Sequence, residues 1–168
     1  MKLHAQWVVG FVDGEGCFFV GVVQNRSKKA LYQLQPAFVV GQHVHDVQVL
    51  YALKDYFGCG RVQLPKEGDT VARWTVQKLD HLLTHVIPFF EKHKLKTKRG
   101  IEFQRFRRLC FMLQKKVHVS SKEGFEECLE LARNLRVKLN TSVEIDKGRV
   151  QLLPENTELF KGSVILQI

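Results

Sequence analysis

Residues 7–18 read WVVGFVDGEGCF, and this stretch decides the architecture. Leu3, Trp7, Gly10 and Gly14 recur at spacings of three and four, which predicts a short helix over residues 3–13 with these side chains on one face. Each glycine inside a helix costs about 1 kcal/mol relative to alanine. Close approach of a second helix compensates, because small residues remove the side-chain barrier between two backbones. Trp7, Gly10 and Gly14 are therefore the expected contacts with a second copy of the same helix. Glu15 follows where such a packed pair ends. A twofold axis sets two Glu15 carboxylates side by side, which like charges resist unless a cation lies between them. Magnesium takes one or two carboxylates together with substrate phosphate. Paired carboxylates, cations and a phosphodiester are the components of two-metal hydrolysis.

Working outward, Gly16 breaks the helix and residues 17–25 (CFFVGVVQN) form an apolar strand. A polar turn over 26–30 leads to a second strand over 32–40, where Pro36 suggests an irregularity or an exposed edge. Residues 44–57 carry Val47, Leu50, Tyr51 and Leu53 at helical spacing, ended by Gly58-Cys59-Gly60. Residues 61–64 and 71–77 read as a strand pair across the turn 65–70. A helix over 79–93 is interrupted by Pro88, a long one covers 98–116, and Ser120 or Ser121 caps a last one running to Leu139. The order α-β-β-α-β-β-α, then further helices, defines one α+β domain over residues 1–140 with an antiparallel sheet. Residues 141–168 lose clear periodicity and form an extension of unassigned role, dispensable for activity on this reading.

The formal net charge is +9, unevenly placed: residues 1–140 hold 23 Lys and Arg against 13 Asp and Glu, whereas 141–168 hold three against four. A basic body points to a polyanionic partner. The four cysteines form no C-x-x-C pair, so they read as buried free thiols, and neither His43/His45 nor His81/His85 has a third ligand beside it for zinc. No apolar run reaches the ~20 residues of a membrane span, and the first structured segment leaves no room for a targeting peptide ahead of it.

Residues 8–16, VVGFVDGEG, resemble the motif of the LAGLIDADG homing endonucleases, with its first and last glycines, its apolar positions and both acids in place. The element order over residues 1 to about 140 is similar to that family's core, whose antiparallel sheets form a saddle over DNA. One motif in the chain implies the homodimeric type. The resemblance assigns the catalytic cation to Glu15 and to the backbone carbonyl of Gly14. It identifies Gln42 and Lys96 as members of a water network around the scissile phosphates, with Lys98 as a second candidate. The implied ion is Mg²⁺, and Mn²⁺ or Ca²⁺ suits the same oxygen site. Asp46 departs from the family, whose members often carry a basic residue there.

Two further features fit double-stranded DNA. Residues 92–116 hold ten Lys and Arg with Glu102 the one acid inside, a density suited to phosphate contacts, for which Arg105 and Arg108 are candidates alongside Lys98. In the strands, Gln33, Gln35, Arg61, Gln63, Arg73, Thr75 and Gln77 alternate with apolar residues. These side chains reach base edges in a major groove, which a β-ribbon can enter. The reading is a DNA endonuclease cutting a long, near-palindromic site as a homodimer, of the intron-encoded type found in chloroplasts or mitochondria. An RNA-splicing maturase and a non-catalytic DNA-binding regulator are the alternatives on the same fold.

Overall fold

The computed structural model describes residues 1–24 and 32–135. The turn expected over 26–30 and the extension after Asn140 lie outside the described residues. Helix α1 (Ala5–Glu15) buries Val8, Val9 and Val12 and leaves Gly10 and Gly14 on its other side. It runs two residues further than expected, because the Gly16 N–H closes its last turn on the Val12 carbonyl. Gly16 is required there. A Cβ would lie 2.5 Å from Val12 Cγ1 and 2.7 Å from the Val12 carbonyl oxygen, so only a bare backbone passes directly from helix into strand.

Strands β1 (Gly16–Gln24), β2 (Tyr32–His43), β3 (Arg61–Gln63) and β4 (Val71–Val76) form one antiparallel sheet in the order β1-β2-β4-β3. β2 continues three residues beyond the expected end, pairing Gly41, Gln42 and His43 with Arg73, Ala72 and Val71. Pro36 pairs with Val20 of β1, but the β4 ladder starts only at Phe38. At Pro36 one side of β2 has no described strand beside it, which is where a missing N–H is tolerated.

One turn of 3₁₀ helix (Val44–Asp46) precedes α2 (Val47–Phe57). Beyond α2, Gly60 has φ 86°, and a Cβ there would meet Trp74 Nε1 at 2.4 Å. The bare turn lets that nitrogen donate to the Cys59 carbonyl at 3.0 Å, satisfying the polar edge of a buried indole. Pro88 does not break its helix. A π turn (Leu82–Val86) joins α3 (Leu79–His81) to α4 (Ile87–Lys92), and the wider turn accommodates the proline ring and its lost donor. Helix α5 (Lys98–Gln114) is followed by α6 (Val117–Ser120), a short helix absent from the sequence reading, after Lys116 turns the chain through φ 58°. Helix α7 (Lys122–Arg133) begins at Ser121, whose hydroxyl accepts the Gly124 N–H at 3.0 Å as the expected cap.

The core is aromatic. Phe18 of β1 stacks on Phe38 of β2 at 5.1 Å and meets Phe90 of α4 and Phe103 and Phe106 of α5 at 5.2–5.9 Å. The helices thus cover the face of the sheet that carries Phe18, Phe38 and Trp74. Successive strand residues point to opposite faces, so the odd-numbered residues of β2, β3 and β4 occupy the other. No helix among the described residues is long and apolar enough to cross a membrane.

Candidate functional site

Glu15, the last residue of α1, is exposed and lines a cleft of about 340 Å³ at the junction of helix and sheet. Cys17, Val39, Gly41, Gln42, His43, Val71 and Arg73 complete its walls. Two residues that the sequence placed apart, Glu15 and Gln42, therefore share one hollow with Arg73. Gln42 Oε1 accepts the His43 N–H at 3.0 Å, folding its side chain back along the end of β2. The helical ladder closes with Gly16 N–H on the Val12 carbonyl, which leaves the Gly14 carbonyl beyond it, at the negative end of the helix dipole. A carboxylate and a helix-terminal carbonyl are hard oxygen donors of the kind that suits a divalent cation. Among the described residues no group of three or more His, Cys, Asp or Glu side chains converges. One chain thus offers such an ion a partial shell that phosphate, water or a second chain must complete.

The other polar residues named from the strands fall on one face. Gln33 and Gln35 occupy the start of β2, Arg61 pairs with Thr75, and Gln63 pairs with Arg73. Gln77 lies just past β4, and with Arg61, Gln63 and Thr75 it lines a second hollow that includes Lys78 and His81. Arg73 is held at the surface by Asp69 at 3.1 Å, and the same nitrogen donates to the Val71 carbonyl at 3.3 Å. Backbone hydrogen bonding from Val71, then the Arg73 contact, keeps the Asp69 carboxyl below the usual carboxylate range. β1 departs from the pattern, since register puts Cys17, Phe19 and Val23 on this face, opposite Val39, Ala37 and Gln33 of β2.

The basic run over 92–116 looks different in three dimensions. Its four arginines are engaged within the protein. Arg99 contacts the buried Glu102 at 2.7 Å, and Arg107 pairs with Glu91 and lies over the Phe111 ring. Arg108 contacts Glu127 of α7 at 2.7 Å, and Arg105 donates to the Asn134 carbonyl at 2.6 Å. Arg105 and Arg108, named for phosphates, are thus drawn to α7 and its C-terminal end, on the helical side of the sheet. The linear count missed this because Glu91 and Glu127 lie outside the run. Lys92, Lys94, Lys96, Lys98, Lys115 and Lys116 are exposed.

Lys96 does not line the Glu15 cleft. Its main chain is tied to α1 instead, through the Asp13 carboxylate, which accepts the Lys96 N–H at 2.9 Å, the Thr97 N–H at 3.2 Å and the Thr97 hydroxyl at 2.9 Å. Nothing in the linear order signals a contact over more than eighty residues. His43 was weighed only as a zinc ligand, and the underestimated length of β2 concealed that it faces the cleft. All four cysteines are free and buried, and burial pushes the Cys110 thiol up to about 12.

On its inner side α1 is anchored by its valines. On its outer side, a Cβ built at Gly10 or Gly14 meets no atom within 4 Å. Trp7 is 42% exposed and stacks on Phe11 at 4.8 Å beside this bare strip. The helix end that carries Glu15 thus has an open flank, next to a sheet face rich in Gln and Arg.

An antiparallel four-stranded sheet with helices on one face, entered from a glycine-bearing helix that ends in an exposed acid, defines the chain as an α+β domain. Residues 8–110 match the LAGLIDADG endonuclease family, and the chain belongs to it. The chain is 46% identical to the crystal structure of the homing endonuclease I-TnaI, with a TM-score of 0.74 over 84% of this chain and 91% of that one. It is 28% identical, with a TM-score of 0.74, to I-SmaMI bound to an uncleaved DNA target in the presence of calcium ions, covering 80% of this chain and 45% of that one. Probable intron-encoded endonuclease 2 of Neurospora crassa is 27% identical over 129 residues, which is 77% of this chain but 26% of the relative. The chain therefore spans about a quarter of that curated relative.

Proposed function

We propose that the protein is a site-specific double-stranded DNA endonuclease that works as a homodimer, cutting phosphodiesters by metal-dependent hydrolysis at the paired ends of α1. The observation that carries this reading is the position of Glu15. An exposed carboxylate ends a helix whose outer flank is bare at Gly10 and Gly14, and its cleft opens beside Gln42 and Arg73. A second α1 docked on that flank brings a second Glu15 alongside the first. The coverage is in keeping with this, since one chain matches nearly all of I-TnaI yet 45% of I-SmaMI.

A divalent cation, Mg²⁺ on the present reading, supplies Lewis acidity and a more acidic water. Glu15 and the Gly14 carbonyl hold it. Gln42 and Lys96 orient water and phosphate oxygens, with Lys98 as the second candidate for the lysine's task. The sheet face, through Gln33, Gln35, Arg61, Gln63, Arg73, Thr75 and Gln77, reads base edges in the major groove, while the exposed lysines hold phosphates. Expression from an intron reading frame within an organelle agrees with the intron-encoded relative.

The test is Glu15→Gln. It keeps size and polarity and removes the charge that holds the cation. In Mg²⁺ or Mn²⁺ the variant binds the duplex that the wild type selects from a random library, remains dimeric and does not cut. Cleavage by the variant at near wild-type rate would show that Glu15 holds no catalytic metal.

A further inference from the structure

Asp13 is the first acid of the motif stretch, and its carboxylate points away from the Glu15 cleft into the segment ahead of α5. Three donors converge on it, all from Lys96 and Thr97. The Thr97 hydroxyl donates to Asp13 and in turn accepts the Arg99 N–H at 3.2 Å, which makes Thr97 the cap of α5. Leu95, just before, is buried, and its carbonyl lies close against Gly100, where a Cβ would stand 3.2 Å away. The main chain at Lys96 is therefore fixed on both sides, while its side chain stays exposed. One acid two residues before Glu15 thus ties the Lys96 backbone to the helix that presents Glu15.

We propose that Asp13 is a positioning residue, which sets Lys96 relative to Glu15 across the junction of α1 and α5. The inference rests on the endonuclease reading, in which Lys96 acts on water or phosphate at the Glu15 centre. A carboxylate suits the task because both its oxygens accept and charge strengthens each bond. Its place ahead of the α5 N-terminus, where the helix dipole favours an anion, adds to the hold. Without the clamp, segment 95–97 keeps its Leu95 anchor but loses its registration against α1. A displacement of about 1 Å at a catalytic group can cost about 100-fold in rate.

The distinguishing experiment is a double-mutant cycle between Asp13→Asn and Lys96→Ala, read in single-turnover cleavage of the duplex that the wild type selects and cuts. Asparagine is isosteric but turns one acceptor into a donor, which opposes an N–H already there. The expected result is a rate lower by about 100-fold for Asp13→Asn, with duplex affinity unchanged. The double variant is then no slower than Lys96→Ala alone, because a clamp matters only while the side chain it places is present. A clamp that served folding alone would instead give multiplying rate losses. Thr97→Val, which removes the hydroxyl donor and leaves the Asp13 charge, repeats the cycle should Asp13→Asn fail to fold. Wild-type rate in Asp13→Asn, multiplying losses, or affinity falling in step with rate would overturn the proposal. A wild type that cuts no duplex would overturn the endonuclease reading itself, a distinguishable outcome.

Discussion

Replacing Gly10 with leucine separates the stability of the fold from that of the assembly. In the single chain a Cβ at Gly10 meets nothing within 4 Å, so the new side chain projects into open space. The helix itself gains, since leucine is favoured over glycine in a helix interior by roughly 0.8 kcal/mol. Val8, Val9 and Val12 still anchor the inner side. In a twofold dimer the same substitution enters the contact twice. Overpacking of a close contact costs about 1–3 kcal/mol per site, hence about 2–6 kcal/mol for the pair. That weakens association by roughly 30-fold to 10⁴-fold. Sedimentation across a dilution series measures the shift, and Gly10→Ala, with a single added carbon, gives a smaller one. Thermal unfolding at a concentration where both proteins are monomeric checks the other half, and the leucine variant is at least as stable as the wild type. An unchanged dissociation constant would refute the docking of two α1 helices through Gly10. A destabilised monomer would show that the flank is not open.

Gly16→Ala places its Cβ against Val12 and its carbonyl, so it destabilises the fold by about 1–3 kcal/mol and shifts Glu15, measured by chemical unfolding together with cleavage. Arg73→Ala relaxes base preference at particular positions of the bound duplex by about 1–3 kcal/mol. Arg108→Ala leaves affinity and its salt dependence nearly unchanged because that arginine is paired with Glu127, and binding titrations over a range of salt read both. Burial lowers the His118 pKa below its ordinary 6.5, so the folded state binds the proton less readily than the unfolded chain. Stability from this group is present above the ordinary imidazole pKa and is lost as the pH falls through and below it. Melting curves at stepped pH, compared with those of His118→Gln, show whether the slope in that window belongs to His118.

Much of the molecule was legible in the linear order because its signals are local. The motif stretch alone predicts a helix with an open glycine flank, a break at Gly16 and an acid at the helix end, since helix period and turn geometry depend on near neighbours. Alternation in β2, β3 and β4 predicts polar side chains on one face, and the register pairs Arg61 with Thr75 and Gln63 with Arg73 across it, while Gln77 lies just past β4. Boundaries failed where tertiary contacts set them. β2 runs on to His43 because β4 supplies partners for Gly41, Gln42 and His43, and Pro88 is absorbed because a π turn widens ahead of it.

Charge shows the division between sequence and structure most clearly. Ten bases with one acid in residues 92–116 are a property of the sequence, and so is the sign of the field they produce. Which of them are engaged within the protein was decided only by folding, which brings Glu91, Glu127 and the Asn134 carbonyl against Arg107, Arg108 and Arg105. The same holds for the two acids of the motif. Their spacing of two residues sets them about 200° apart on the last turn of α1, but only packing gives each its task. Asp13 meets the donors of Lys96 and Thr97, whereas Glu15 opens into the cleft. An ionised side chain takes its role from the groups that surround it in space, and chain order specifies those only through the fold.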